Sequence, residues 1–348
     1  MAAALALSER GRGRTTPNPN VGCLIVKDEQ VVGQGWTQPG GRPHAEAMAL
    51  QQAGPAAHDA TVYVTLEPCA HRGPRGPACA DLLVAARPKR VVAALTDPDL
   101  RTAGQGFARL RAAGIAVVEN LLADRAREVM AGFLTRQALG RPHVTLKLAT
   151  SLDGMIARAD GESRWITGPA ARAHTHLERS RHDAILVGRG TWEADQPQLD
   201  VRLPGLEDHS PRIVILSSSL PFPPPSSLRR RGSISLPTSD AAGDKADGAM
   251  PAQERQITVL RAPRDINDLG GVDHLFVEGG ARTAAAFVAA DLVDRLLLYR
   301  APILIGHGKP ALADIDLHRL ADAHDRWRLA DTRMLGIDRL EVYERQRS

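Results

Sequence analysis

The sequence predicts an α/β protein of two domains. Runs rich in Val, Ile and Leu alternate with helix-like runs up to Gly140, and a fresh cycle of the same kind opens at "PHVTLKLATS". The length, 348 residues, is about twice that of a typical domain and allows each unit its own core. Strands and helices alternating at this spacing mean sheets covered by helices. The boundary falls near Arg141-Pro142, which divides the chain into 1–141 and 142–348.

Each element has a local reason. "VGCLIV" and "VVGQGW" flank the turn "KDEQ" and read as a hairpin. "AEAMALQQAG" is an amphipathic helix stopped by Gly54-Pro55. Then come strand "TVYVTL", helix "CADLLVAA", strand "RVVAAL", helix "GFARLRAAG" and strand "IAVVEN". "ADRAREVMAGFLTRQALG" closes the unit as one longer helix ending at Gly140.

In the second unit "PHVTLKLATS" is followed by a helix in "GPAARAHTHLERSR" and by strands "AILVG", "RIVILSS" and "HLFVEGG". Helix "ARTAAAFVAA" and strands "RLLLYRAPIL" and "DRLEVYERQ" complete it. Residues 222–256, rich in proline, glycine and small polar side chains, read as a mobile insertion. There is no internal repeat.

Composition narrows the function classes. Apolar residues make up 43% and charged residues 24%, as in ordinary soluble domains. A net charge of +4 is modest and counts against a nucleic-acid partner. Only five of the 44 basic residues are lysines, so the positive charge is almost all arginine, which suits bidentate contacts to phosphate. Three cysteines make no disulfide framework, and the odd count points to a reducing, cytoplasmic setting. "MAAALAL" is too short for a signal segment, and no run nears the roughly 20 apolar residues that span a bilayer.

Two stretches carry chemistry: "PHAEAMAL" and "TLEPCAHRGPRGPACADLL". Zinc hydrolysis needs three protein ligands, one position left for water, and a nearby base that is not a ligand. Zinc deaminases use His-x-Glu followed by Pro-Cys-x-x-Cys. His44-Ala45-Glu46 gives the first half and Pro68-Cys69 opens the second, but Cys79 lies ten positions on. His44 and Cys79 both stand at helix starts, where positive potential favours a thiolate. A rival arrangement has His71 as a fourth ligand, closing the site and leaving Glu46 as a helix-capping acid. Cys23, inside an apolar strand, is a small core residue.

With "TTPNPNVGCLIV", "PHAEAMAL" and "TLEPCAHRG" read in order, the first unit resembles the deaminase half of the bacterial bifunctional riboflavin-biosynthesis deaminase-reductases. "KLATSLDGMIA", "GESRWITG", "AILVGRGTWEADQPQLDVR" and "VEGG" resemble the reductase half in the same order. The resemblance implies a cytidine-deaminase-like α/β/α domain followed by a dihydrofolate-reductase-like α/β domain. It implies hydrolytic loss of the 2-amino group of 2,5-diamino-6-ribosylamino-4(3H)-pyrimidinone 5′-phosphate. NADPH-dependent reduction of the ribosyl side chain then gives 5-amino-6-(5-phosphoribitylamino)uracil. The partners expected are this small phosphorylated pyrimidine and a second copy of the chain, with neither nucleic acid nor membrane.

Carried onto this chain, the resemblance makes His44, Cys69 and Cys79 zinc ligands and Glu46 the catalytic proton shuttle. Asn18 would hold the pyrimidine and Arg75 its phosphate. Thr37 stands where the family has a substrate-contacting histidine, and the Cys69–Cys79 loop is one residue longer than usual. NADPH contacts fall to Ala149, Trp165, Thr191, Asp195, Ser217 and the stretch Gly280, Ala281, Arg282, Thr283, Ala284, Ala285 and Ala286. Substrate contacts in that half fall to Ser163, Arg179, Leu199, Arg202 and Glu278, with Arg179 and Arg202 as a phosphate clamp. "GRGTW" and "GQGF" lack the third glycine of a dinucleotide fingerprint. The segment before Glu278 is short for the helix the family places there.

Taken singly, most of these residues have plainer roles: Asn18 in a turn, Arg179 on a helix surface, Trp165 in a core, Gly279-Gly280 as a strand-to-helix turn. Alternative functions are a deaminase acting on a transfer-RNA base, a deaminase whose second domain has decayed, and a zinc-stabilised scaffold.

Overall fold

The structure, a computed structural model, describes residues 1–71, 73, 76–219 and 257–347. The insertion expected over 222–256 and Arg75 lie outside the described residues.

The first unit opens with α1 (Ala2–Ser8) and the hairpin β1 (Gly22–Lys27) and β2 (Gln30–Trp36). Asp28 and Glu29 turn the hairpin with φ of 49° and 63°, the left-handed geometry that matches strand twist. Next come α2 (Ala45–Ala53), β3 (Thr61–Val64), α3 (Cys79–Ala86), β4 (Arg90–Ala93), α4 (Gln105–Ala112) and β5 (Ala116–Val118). The sheet order is β2-β1-β3-β4-β5; the first two pairings are antiparallel and the last two parallel. The long closing helix is two helices, α5 (Ala123–Val129) and α6 (Ala131–Leu139), broken where buried Met130 leaves helical geometry.

The second unit runs β6 (His143–Thr150), β7 (Met155–Arg158), α7 (Pro169–Ser180), β8 (Ala184–Gly188), α8 (Arg189–Asp195), β9 (Arg212–Leu216), β10 (Ile257–Leu260) and β11 (His274–Val277). It finishes with α9 (Ala281–Ala289), β12 (Arg295–Arg300), β13 (Gly308–Pro310), β14 (Trp327–Leu335) and β15 (Asp338–Arg345). The large sheet has the order β10-β9-β8-β11-β6-β12-β15-β14. Its first six strands are parallel, and β15 and β14 add antiparallel. β8, β11 and the centre of β6 are buried, which explains their near-continuous apolar sequences. Before β11 the chain makes a 3₁₀ turn, Pro263–Asp268, in place of a helix.

The two units have separate apolar cores, one ending at Leu134 and the others beginning at Val144. A polar seam joins them. Thr16 Oγ1 donates to Asp183 at 3.2 Å, Arg14 pairs with His209, and Arg136 donates to the Leu269 carbonyl at 3.0 Å. An added Cβ on Gly132 of α6 would sit 2.4 Å from the His274 ring, so only glycine permits this approach. At the junction itself, buried Arg141 holds Asp294 through two hydrogen bonds of 2.7 and 2.9 Å.

Candidate functional site

Three residues from separate elements meet where the first sheet changes direction. His44 is the residue before α2, Cys79 is the first residue of α3, and Cys69 follows the end of β3. Their ligand atoms all lie within 4.8 Å of one another. His44 Nδ1 is 3.2 Å from Cys79 Sγ and 3.6 Å from Cys69 Sγ. Zinc–ligand bond lengths of about 2.0–2.3 Å in a tetrahedron place such atoms roughly 3.5 Å apart, so these residues fit the ion. The Asn18 amide lies 3.0 Å from the ring's other nitrogen, Nε2, and donates to the Gly41 carbonyl at 2.7 Å, fixing the imidazole plane.

Charge supports the same reading. Hydrogen bonding from the Cys79 thiol, opposed by burial and aided by His44, pulls the Cys69 thiol down to about 4. Cys79 is held well above its ordinary value by the same contact with Cys69 and by burial. The pair therefore loses one proton readily and keeps the second until a cation drives it off. His71, the possible fourth ligand, turns away: its Nδ1 lies 3.4 Å from Thr102 Oγ1, and it is not in the ligand cluster found among the described residues.

Glu46 is buried beside the trio and accepts a hydrogen bond from the Cys79 thiol. Burial raises its carboxyl to about 7, against the pull of His44. Such a group can take and return a proton near neutral pH. Thr37 is buried and accepts the Val21 amide hydrogen at 3.0 Å. Sequence reasoning missed Asp97, a buried acid that burial raises to about 6, close to Cys69 and Glu67.

The second site is a cleft of about 1170 Å³ at the carboxyl ends of the parallel strands, where open α/β sheets bind ligands. It gathers Ala149, Trp165, Thr191, Asp195 and Gly280 of the expected cofactor set, and Ser163, Arg179, Leu199, Arg202 and Glu278 of the expected substrate set. Ser217 and residues 281–286 are not among its lining residues. Ala284 and Ala285 are buried in α9, and Ser217 is buried with its hydroxyl on the Ser219 carbonyl at 2.8 Å. The glycines beside α9 also have a packing role. A Cβ on Gly279 would lie 2.4 Å from Thr283 Cβ, and one on Gly188 would lie 2.1 Å from Thr283 Oγ1. Both glycines thus seat Thr283 against the sheet, leaving Gly280 to face the cleft.

Arg179 is held by protein partners within the cleft. Its Nε and Nη2 donate to the two oxygens of Glu278 at 2.6 and 3.0 Å, and its Nη1 donates to the Asp200 carbonyl at 2.9 Å. Burial opposes ionisation of Glu278, yet Arg179 outweighs it and holds the carboxyl below its ordinary range. Arg202 is the more exposed arginine, with Nε 3.6 Å from Asp200 Oδ1. Trp165 is 67% exposed, under the Arg172 guanidinium at 4.6 Å, and is no core residue. Lys147 also lines the cleft, and burial lowers its ammonium pKa against the pull of Glu278. The signal for it was present: one of five lysines in the chain, set inside an apolar strand.

Among the described residues no helix is long and apolar enough to cross a membrane. Residues 1–95 match the cytidine and deoxycytidylate deaminase zinc-binding region, and residues 142–338 match the RibD C-terminal domain. The chain is 40% identical to the riboflavin biosynthesis protein RibD of Escherichia coli (strain K12), with 97% of this chain and 96% of that one covered. It is 39% identical to RibD of Mycobacterium tuberculosis (strain ATCC 25618 / H37Rv), covering 98% and 95%. Among solved structures, form 1 of Acinetobacter baumannii RibD superposes with a TM-score of 0.80 at 34% identity, covering 99% of this chain and 98% of that one. A diaminohydroxyphosphoribosylaminopyrimidine deaminase/5-amino-6-(5-phosphoribosylamino)uracil reductase from Thermotoga maritima gives 0.78 at 28% identity, covering 99% and 97%. Sharing both domains and nearly the full length with these proteins, the chain belongs to the RibD family of riboflavin biosynthesis proteins.

Proposed function

We infer that this chain carries out two successive reactions of riboflavin biosynthesis, deamination in the first unit and reduction in the second, with the division at residue 141. The observation that carries the first half is the three-donor cluster with a buried, non-ligating carboxyl beside it. The substrate is 2,5-diamino-6-ribosylamino-4(3H)-pyrimidinone 5′-phosphate. Water adds at C2, ammonia leaves, and the ring carbon gains a carbonyl oxygen.

His44, Cys69 and Cys79 hold zinc, which when bound makes water a nucleophile near neutral pH. Glu46 removes a proton from the attacking water and delivers protons to the ring nitrogen and the departing amine. Asn18 orients His44 and borders the pyrimidine. Arg75 is assigned to the substrate phosphate. Three ligands without His71 favour hydrolysis over a closed structural site, which weighs against a scaffold.

In the second unit NADPH supplies the hydride that converts the ribosyl side chain to ribityl. Ala149, Trp165, Thr191, Asp195 and Gly280 line the cofactor's part of the cleft. Ser163, Leu199 and Arg202 meet the substrate, and the Arg179–Glu278 pair fixes two polar groups in the wall. The chain works in the cytoplasm as a homo-oligomer. The decisive experiment measures zinc content, ammonia release from the pyrimidinone phosphate, and NADPH oxidation on the deaminated product. Both activities in one zinc-loaded preparation are expected. Zinc without ammonia release would sink the deaminase reading, and ammonia without NADPH oxidation would leave a single-function enzyme.

A further inference from the structure

The segment from Arg12 to Thr16 belongs to the first unit but packs against the second. A Cβ on Gly13 would lie 2.6 Å from the Arg181 carbonyl carbon and 2.7 Å from the His182 nitrogen. With φ of 77° as well, only glycine brings the chain this close to the end of α7. Three residues on, Thr16 donates to Asp183 Oδ1, while Asp183 Oδ2 accepts the Asp273 and His274 amide hydrogens at 3.0 and 2.8 Å. The first unit thus grips the corner between α7 and β8.

Arg12 enters that corner. Its side chain is 5% exposed, its Nη1 lies 3.7 Å from Glu9 Oε2, and its Nε and Nη2 meet no partner among the described residues. A buried cation so sparsely bonded is costly unless its charge is used. Glu178 uses it. Burial opposes ionisation of that carboxyl, yet Arg12 first and then Arg181, 3.1 Å away, outweigh burial and hold its pKa at about 2. The other groups facing Glu178 add no free cation. Burial keeps the His182 and His174 rings neutral, Arg295 is joined to Glu344 at 2.7 Å, and the Tyr299 phenol is hydrogen-bonded to His174 at 2.8 Å.

α7 carries this charge and the cleft wall on adjacent stripes. Ala171, Thr175 and Glu178 form its buried stripe, and Arg172, His176 and Arg179, one position on at the same spacing, line the cleft. Arg179 in turn holds Glu278. We propose that Arg12 is a positioning residue for the reductase: it compensates Glu178 from across the seam, which seats α7 and so sets Arg179 and Glu278 against the substrate. The inference rests on the reading of this cleft as the reductase site. It makes reduction depend on the first unit, although no residue of that unit is among those lining the cleft. Without Arg12, burial prevails and the Glu178 carboxyl holds its proton to higher pH. At high pH α7 then carries a buried, half-compensated carboxylate, and at lower pH a neutral acid that needs no cation.

The test compares steady-state NADPH oxidation by full-length R12M and R12M/E178Q with the wild type at the same pH. Methionine keeps an apolar stem and removes the charge. R12M should raise KM for the deaminated substrate about tenfold at pH 8 and leave KM for NADPH within about twofold, because Arg179 and Glu278 meet the substrate. The defect should shrink to about twofold at pH 6, where Glu178 takes up a proton. R12M/E178Q should recover at pH 8, since glutamine needs no countercharge. Ammonia release by both variants should match the wild type. A defect equal at both pH values, a rise in both KM values, or a double variant no better than R12M overturns the proposal. So does an R12M enzyme indistinguishable from the wild type, or one that also loses ammonia release. A wild type that does not oxidise NADPH overturns the reading of the cleft, and this inference with it.

Discussion

Glu67 and Gly106 are joined at 2.9 Å, the carboxylate Oε1 accepting the Gly106 amide hydrogen. The same oxygen takes the Phe107 amide at 3.2 Å, and Oε2 takes those of Asp97 and Gly104 at 3.2 and 2.9 Å. Four backbone donors thus end on one buried side chain two residues before Cys69. Glu67 caps the start of α4 and fixes the segment from which Cys69 points at His44.

Glu67→Gln replaces two acceptor oxygens by one and sets an NH₂ against backbone N–H groups. Leaving buried donors unmet costs about 1–3 kcal/mol each, so the first unit should lose roughly 2 kcal/mol of stability. Zinc affinity should fall with it. Urea unfolding and a competitive zinc titration measure both; an unchanged unfolding midpoint would show that the four bonds do not hold the segment.

Glu46→Gln should keep zinc and lose ammonia release by about 100-fold or more, since proton transfer contributes on that scale. NADPH oxidation on the deaminated substrate should be unaffected. Retained deamination in a zinc-loaded sample would remove Glu46 from its assigned role.

Arg179→Met leaves Glu278 as a buried carboxylate without its cation. Breaking such a pair costs about 3 kcal/mol or more, and NADPH-dependent turnover should drop by about 100-fold. The deaminase unit, with its own core, should retain full ammonia release. Loss of both activities together would mean that the pair holds the whole fold rather than the cleft.

At the seam between the units, burial pushes His182 down to about 3, with the Arg12 guanidinium adding to the effect. Its Nδ1–H donates to the Glu178 carbonyl at 2.5 Å, and its Nε2 accepts from Thr145 Oγ1 at 3.1 Å, so the folded protein holds the neutral ring. The folded pKa lies below the unfolded value of about 6.5. The unfolded chain therefore binds the extra proton, and this stabilising term declines as pH falls from 6.5 towards 3. His182→Gln should flatten the acid limb of the stability–pH curve by about one proton, or about 1.4 kcal/mol per pH unit between pH 6 and 4. Parallel limbs for wild type and variant would show that His182 already protonates in the folded state.

The sequence by itself determined the two α/β units, the succession of most strands and helices, and the donor types His44, Cys69, Cys79 and Glu46. Periodicity and short motifs are local, and a local pattern is enough to choose a helix, a strand or a ligand. β14 escaped because exposure on both faces erases the alternation that marks a half-buried strand, and β10 because it is four residues long and follows the polar insertion. The split at Met130, the anchoring of four amides on Glu67, the pairing of Arg179 with Glu278, the seating of Thr283 on two glycines and the choice of His44 Nδ1 to face both sulfurs were decided only by tertiary structure. Apart from the break at Met130 and the four-residue step from Gly279 to Thr283, these join residues from 25 to 99 positions apart, and which donor meets which acceptor depends on how helices pack on the sheets rather than on neighbouring residues.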